Sequence, residues 1–261
     1  MELRYAIKQH RSPIIATAIH DGHLIDTALH PFLNLQEHER FREEDPYTNY
    51  LVEMPVSWVS VQTSRFQVDL NRERSKAVYR LPEDAWGLQV WNTNLPDRLI
   101  ADLQRQYDLF YAQIARLLET TIKQFGHFVV LDVHSYNHRR GRPEAYASTG
   151  ENPEINVGTR HNRNKWQMLS RDLIRFLSHQ RVKNHRVDIR ENIKFGGGGF
   201  AAWINRNYGK YGCVLSIEFK KTFMDEWTGR VDIQHLRDLK WLLEAAVQYL
   251  LDALENGAKR T

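Results

Sequence analysis

Cysteine is nearly absent from this sequence, which has one, Cys213, in 261 residues. A single cysteine excludes an intramolecular disulfide and any metal site built from several cysteines, so a reducing compartment, the cytoplasm, is expected. No stretch approaches the roughly 20 apolar residues that a membrane span needs. The first residues, MELRYAIKQHRSP, lack the apolar stretch of about 7–15 residues found in a signal peptide. Neither membrane insertion nor export is therefore expected.

Long runs of one charge are also missing, although the formal net charge is +4. A basic balance is compatible with nucleic acid, an anionic surface or an anionic small substrate as the partner. Lysine and arginine alternate with acids along the chain, without the basic tract typical of a nucleic-acid-binding tail. We therefore expect no nucleic-acid partner. The twelve histidines are more informative, because imidazole is the commonest metal ligand.

Apolar strand patterns alternate with helical patterns along the sequence. Strands are predicted at 13–19, 56–61, 66–70, 127–134, 187–189 and 213–219. Helices are predicted at 97–125, 164–177, 200–207 and 235–254. This alternation favours one α/β domain over 1–261, with three layers and a mixed sheet covered by helices on both faces. The irregular stretches 21–55 and 135–163 are long for loops, which indicates a functional role or poor order.

Polar residues end the three strongest predicted strands, and sites in open α/β sheets form at the carboxyl ends of strands. The first strand ends in His20 and His23, separated by two residues. A catalytic zinc takes three protein ligands and leaves a fourth position for water, so this pair and a distant third ligand would suffice. Such a pair also occurs as surface or capping residues, and that alternative stays open here.

The second strand supplies His134, two residues after Asp132. On a strand both side chains point to the same side, so Asp132 could orient a histidine ligand. Alternatively, Asp132 caps a turn. The third strand contains Glu218 among apolar neighbours, where a carboxylate is costly unless it is paired or placed at a site. A glutamate beside a metal site suits a general base, and a salt bridge to Lys220 or Lys221 is the alternative.

Asn71 and Arg72 follow the alternating stretch 66–70. Their neighbouring donors can hold a carboxylate in two places, although a solvated loop fits the same residues. The four glycines from Gly196 to Gly199 are not followed by the Gly-Lys-Ser/Thr of a phosphate-binding loop. They are expected to allow close approach of the backbone to the site, or to act as a hinge.

Taken in order, these motifs resemble the N-formylglutamate amidohydrolase family over most of the chain. The matching segments are 19–23, 64–65, 69–72, 131–135, 153–154, 158–159, 195–198, 208–209, 217–218 and 224–226. The family is similar to the zinc carboxypeptidases, which use a His-x-x-Glu pair, an arginine, an Asn-Arg pair, a third ligand histidine and a glutamate base. One departure is that His23 stands where that pair has its glutamate.

The resemblance implies a zinc site on His20, His23 and His134, with another divalent transition metal possible. It implies that Glu218 is the base and that Arg65 stabilises the oxyanion. Asn71 and Arg72 would hold the substrate α-carboxylate. Either the arginine-rich loop with Arg139, Arg140 and Arg142 or Arg206 would contact the substrate side chain, and the sequence does not choose between them.

The expected reaction is hydrolysis of the amide of an N-acyl amino acid, with N-formyl-L-glutamate as the best candidate. The resemblance also implies a role in amino-acid degradation, histidine catabolism in particular. Two alternatives remain. One is a carboxypeptidase-like or other N-acyl amino acid deacylase. The other is a metal-free anion-binding protein on the same fold.

Overall fold

The computed structural model describes residues 1–258, and its centre is a mixed seven-stranded β-sheet. The sheet strands are β1 (Tyr5–Lys8), β2 (Ile14–Ala18), β3 (Ser57–Val61), β4 (Phe128–Tyr136), β5 (Ile155–Gly158), β8 (Ile189–Glu191) and β9 (Gly212–Lys220), in the order β1-β3-β2-β4-β9-β5-β8. Strands β6 (Arg181–Val182) and β7 (His185–Arg186) form a separate hairpin. Parallel pairing joins β3, β2, β4 and β9, whereas β1 pairs with β3, and β5 with β9, in antiparallel fashion.

Helices cover both faces of the sheet. The helices are α1 (Glu37–Glu43), α2 (Thr48–Val52), α3 (Asp97–Phe125), α4 (Gln167–Ser178), α5 (Gly199–Tyr208) and α6 (Ile233–Ala258). One apolar layer joins α2, α4 and α6 to the sheet and includes the buried Cys213. The other joins α3 and α5 to the opposite face. The three-layer α/β/α fold with a mixed sheet is therefore confirmed. None of the described helices has the length and apolar character of a membrane span.

The centre of the sheet follows the sequence patterns closely. Strands β4 and β9 are nine residues each and pair along their whole length, from Phe128 opposite Gly212 to Tyr136 opposite Lys220. Every residue of β4 is buried, as a continuous apolar run in a sheet covered on both faces requires. Helix α3 has the predicted bounds and ends at Gly126, which adopts the left-handed conformation that favours glycine.

One predicted strand, 66–70, is wrong, and of the predicted strand 187–189 only Ile189 lies in a strand, as the first residue of β8. Residues Phe66–Leu70 are all buried but form turns, with the Gln67 N–H donating to the Ser64 carbonyl at 3.0 Å. The Asp69 N–H donates to the Ala77 carbonyl at 2.7 Å, so the segment bonds to a neighbouring loop rather than to a strand. The alternation therefore reflects loop packing and not a pleated strand.

Candidate metal centre and active site

The chain turns sharply just after β2, which ends at Ala18, and His20 lies in this turn. At Gly22 an added Cβ would lie 2.2 Å from the Gln62 carbonyl carbon, so only glycine allows this turn to pack against the end of β3. The His20 carbonyl accepts a hydrogen bond from the Asp45 N–H at 2.9 Å. This bond brings the segment between α1 and α2 alongside the first histidine.

Three buried side chains from separate segments meet near the carboxyl ends of the central strands β2 and β4: His20, Asp45 and His134. One ligand atom from each lies within 4.8 Å of the others. Asp45 Oδ2 is 2.9 Å from His134 Nδ1 and 3.5 Å from His20 Nδ1. Two imidazoles and a carboxylate are a donor set that suits zinc and related divalent transition metals.

The far nitrogen of each histidine is held by another buried carboxylate. His20 Nε2 is 2.7 Å from Asp69 Oδ1, and His134 Nε2 is 3.1 Å from Asp132 Oδ2. The Thr17 hydroxyl donates to Asp132 Oδ1 at 2.8 Å, which fixes that carboxylate in turn. The expected contact between Asp132 and His134 is thus present. Carboxylates in this position orient metal-ligating histidines, and here they leave both Nδ1 atoms facing Asp45.

A buried lysine supports the chain that leads into Asp45. The Lys221 ammonium donates to the carbonyls of Arg42 and Glu44, at 2.6 Å each. On the other side of Asp45, its own carbonyl accepts from the Thr48 hydroxyl at 2.7 Å. Lys221 is 1% exposed, so its side chain is shielded from water and helps to hold Asp45 in place.

Negative charge is concentrated around the three side chains. Burial raises the pKa of Asp45, but hydrogen bonds with His134 and His20 outweigh it and lower that pKa below its ordinary value. Burial, with the Asp45 and Glu44 carboxylates, raises the pKa of the adjacent Asp21 to about 7. The crowding of carboxylates would be relieved by a bound cation.

His23 is not part of this group. Its Nδ1 lies 2.5 Å from Glu44 Oε2, and its Nε2 lies 3.4 Å from both Glu37 Oε1 and Arg40 Nη2. The side chain is 28% exposed, in contrast to the 2% and 3% of His20 and His134. The described geometry therefore places Asp45, and not His23, beside the two other candidate ligands.

Glu218 lies one strand away from His134, as its direct partner in the β4–β9 pairing. Burial raises the pKa of Glu218 to about 7, with Asp45 and Asp132 adding to the increase and His134 opposing it. Neither alternative salt bridge forms: Lys220 donates to the Asn152 carbonyl, and Lys221 to the carbonyls named above. A half-buried carboxylate with a pKa near 7 is suited to accept and return a proton.

Arg65 contacts Asp69, the carboxylate that holds His20, and not the candidate ligands themselves. Its Nη2 donates to Asp69 Oδ2 at 2.8 Å and its Nε to the Tyr79 hydroxyl at 3.3 Å. The guanidinium carbon is 4.8 Å from the centre of the Trp86 ring. Arg65 and His20 hold the pKa of Asp69 well below its ordinary value, against the effect of burial. Arg65 thus keeps charged the carboxylate that orients His20.

Asn71 and Arg72 connect this carboxylate to the glycine-rich segment. Asn71 Oδ1 accepts from the Phe200 N–H at 3.1 Å, and its carbonyl accepts from the Gly199 N–H at 2.8 Å. The Arg72 side chain is 39% exposed and lies 3.7 Å from Asp69. Arg72 Nη2 donates to the Asp84 carbonyl at 3.2 Å, and the exposed part of the guanidinium is accessible to an incoming anion. Asn71 Oδ1, in contrast, is already bonded to the start of α5.

The two remaining candidate arginines, Arg139 and Arg206, have different surroundings from Arg65 and Arg72. Arg139 lies 3.0 Å from Asp225 and contacts Glu226, so acidic neighbours already compensate its charge. Arg206 is exposed in the last turn of α5, which runs back toward the start of β9 and so away from Glu218. Neither adjoins the three buried side chains.

Asp45 is the principal site residue that sequence reasoning missed. It lies in the irregular stretch 21–55, and its contact with His20 depends on a backbone hydrogen bond across 25 positions. The signal available was the run Glu43-Glu44-Asp45, which is three consecutive acids. It lies in a segment whose length already indicates a functional role or poor order.

Known proteins resemble this chain in both sequence and structure. The sequence model of the N-formylglutamate amidohydrolase family matches residues 12–224. An N-formylglutamate amidohydrolase from Ralstonia eutropha JMP134 aligns with a TM-score of 0.72 and 15% identity, over 94% of this chain and 97% of that one. A gene product from Agrobacterium tumefaciens aligns with a TM-score of 0.70 and 14% identity, over 98% and 97%.

The search of curated proteins gives no significant match. The two structural alignments establish the shared fold, and the match over residues 12–224 spans most of the sequence. The chain belongs to the N-formylglutamate amidohydrolase family.

Proposed function

We propose that this protein is a metal-dependent amidohydrolase that cleaves the amide of an N-acyl amino acid, with N-formyl-L-glutamate as the leading substrate. The observation that carries the proposal is the meeting of His20, Asp45 and His134 next to Glu218. Membership of the family supports hydrolysis of an amide. The His-Asp-His arrangement supports a metal as the cofactor, with zinc first among the candidates.

The metal ligands in this proposal are His20, Asp45 and His134. The earlier expectation of three histidines is replaced, because the His23 imidazole is occupied by Glu44. Asp132 and Asp45 raise the pKa of His134 well above its ordinary value, against the effect of burial. A histidine binds a metal in its neutral form, so metal affinity should fall as the pH is lowered.

The reaction adds water across the amide. When bound, a divalent cation supplies a Lewis acid that polarises the scissile carbonyl and acidifies the attacking water. Glu218 accepts a proton from the water as its oxygen bonds to the acyl carbon. Glu218 then returns that proton to the nitrogen as the C–N bond breaks, releasing a carboxylic acid and an amine. With a formyl group, the products are formate and the free amino acid.

Two arginines are assigned to binding and stabilisation. Arg65 contributes positive charge where the carbonyl oxygen becomes an oxyanion, although in the free protein its Nη2 is bonded to Asp69. Arg72 binds the α-carboxylate through its exposed side chain. Asn71 supports this contact by fixing the loop to α5.

Metal content and formate release test the proposal together. Purified protein should contain about one zinc per chain and should release formate from N-formyl-L-glutamate only when metal is bound. A panel of N-acetyl and other N-formyl amino acids separates the deformylase from the other deacylases. Absence of both metal and turnover would support the metal-free anion-binding alternative.

Two asparagine variants test the ligand set. Asp45→Asn should lose the metal on dialysis, because a neutral amide replaces a charged ligand. His23→Asn should retain it, because His23 lies outside the cluster. The opposite result would restore His23 as the ligand and remove Asp45.

A further inference from the structure

Two lysines, Lys194 and Lys220, lie near Glu218 and share one neutral partner. The Lys194 ammonium donates to Asn152 Oδ1 at 2.5 Å, and the Lys220 ammonium donates to the Asn152 carbonyl at 2.9 Å. Within residues 1–258, neither ammonium has a carboxylate oxygen within the 4.0 Å of a salt bridge. Two positive charges are therefore held together by dipoles alone.

A buried asparagine fixes Lys194 beside the candidate base. Asn156 is the direct partner of Glu218 in the β5–β9 pairing, so the two side chains lie on the same face of the sheet. Asn156 Oδ1 accepts from the Lys194 N–H at 2.9 Å, and its Nδ2 donates to the Phe195 carbonyl at 2.8 Å. Asn156 has no exposed surface, so the Lys194 backbone is firmly held and its side chain starts beside Glu218.

The Lys194 ammonium also contacts the strand that bears His134. It lies 5.1 Å from the centre of the Tyr136 ring, a distance at which a cation is attracted to the ring face. Tyr136 follows His134 by two residues and points to the same face of β4. The ammonium is therefore on the same side of the sheet as His134 and Glu218.

The charge of Lys194 is poorly compensated. Burial lowers the pKa of Lys194, as does the positive charge of Arg140, whereas Glu151 and Glu218 oppose this shift from a distance. The charge of Arg140, in contrast, is compensated, because its guanidinium lies 2.8 Å from Glu43. Lys194 is exposed, so an ammonium without a counterion is accessible here to an incoming anion.

We propose that Lys194, with Lys220 behind it, binds a second carboxylate of the substrate, distinct from the α-carboxylate assigned to Arg72. The inference rests on the proposed function and narrows it to dianionic N-acyl amino acids. The second carboxylate could belong to the amino-acid side chain, as in an acyl glutamate, or to the acyl group. Both sources present the same chemistry to Lys194.

Binding measurements separate the two sources. The ligands are two acid–amide pairs: N-formyl-L-glutamate with N-formyl-L-glutamine, and N-succinylglycine with its terminal amide. Dissociation constants are measured by calorimetry on zinc-loaded protein carrying Glu218→Gln, so that ligand is not consumed. We expect one pair to show a preference for the acid on the order of 10- to 100-fold, the value of a hydrogen bond to a charged group.

The same measurement is repeated with Lys194→Met, Lys194→Arg and Lys123→Met added. Lys194→Met should abolish the preference while leaving the affinity for the amide unchanged, and Lys194→Arg should keep most of it. Lys123 is an exposed lysine in the last turn of α3, and Lys123→Met is the control that should change nothing. The inference is overturned if neither pair prefers the acid, or if the preference survives in Lys194→Met.

Hydrolysis by the wild-type protein is scored separately with the same four compounds. Failure to hydrolyse any of them, with an acid preference that depends on Lys194, would reject the proposed function and keep the subsite. Turnover of both members of each pair at equal kcat/KM would keep the proposed function and reject the subsite.

Discussion

Replacing Lys221 by methionine should make the protein easier to unfold and should weaken its metal site. The side chain is 1% exposed and its ammonium serves the carbonyls of Arg42 and Glu44. Methionine fills a similar volume but leaves the buried Glu44 carbonyl and the partly buried Arg42 carbonyl without this donor, at about 1–3 kcal/mol for a buried acceptor. Since a buried ammonium no longer has to be desolvated, we expect a net loss of about 2–4 kcal/mol in the free energy of unfolding.

A matched control is present in the same protein. Lys240 also donates to two carbonyls, those of Tyr50 and Glu53, at 2.8 and 2.9 Å, but in contact with solvent. Water can replace its ammonium, so Lys240→Met should cost only about 0.5–1 kcal/mol. The comparison keeps the chemical change constant and varies the burial.

Urea denaturation of both variants, with and without a chelator, measures these losses. Because Lys221 holds the chain that precedes Asp45, Lys221→Met should also weaken metal binding by about 10- to 100-fold, as loss of an outer contact usually does. Lys240→Met should leave it unchanged. Equal stability losses in the two variants, or full metal affinity in Lys221→Met, would refute the assigned role of Lys221.

Three further substitutions test the active site and its frame. Glu218→Gln should retain the metal but lower kcat by about 10²–10⁴-fold, the loss typical of a general base; formate release within a few-fold of wild type would reject that role. Arg72→Ala should lower kcat/KM by the equivalent of about 1.5–3 kcal/mol, with a much smaller loss for a substrate amidated at its α-carboxylate; equal losses would make Arg72 structural. Gly22→Ala should destabilise by about 1–3 kcal/mol, because the new Cβ would meet the Gln62 backbone at 2.2 Å. Gly141→Ala, where nothing lies within 4 Å, is the thermal-melting control, and similar melting temperatures for both would contradict the steric argument.

The part of the fold that could be predicted from the sequence is the part formed by continuous apolar runs. The strands around 127–134 and 213–219 were expected because a sheet covered on both faces needs such runs, and they form the long β4–β9 pair. Strands β1 and β5 were missed, since each has only four residues. Strand periodicity carries little information at that length, and their pairing partners are distant in sequence.

Some residues of the candidate site could likewise be predicted from the sequence, and others could not. Glu218 could be singled out because a lone carboxylate in an apolar strand needs a reason to be there. Asp45 could not, because its position depends on a backbone bond to His20 and on the buried Lys221 far along the chain. His23 has the sequence spacing of a ligand, but spacing alone does not show that the turn directs its imidazole to Glu44.

The buried Cys213 has a practical consequence for labelling. The side chain is 0% exposed, and burial raises the pKa of its thiol to about 12. A thiol that stays protonated and shielded does not react with maleimides or iodoacetamide, because the thiolate is the nucleophile. A cysteine introduced on the surface, at Lys123 for example, would therefore be the one reactive thiol, and a fluorophore could be attached there without first mutating Cys213.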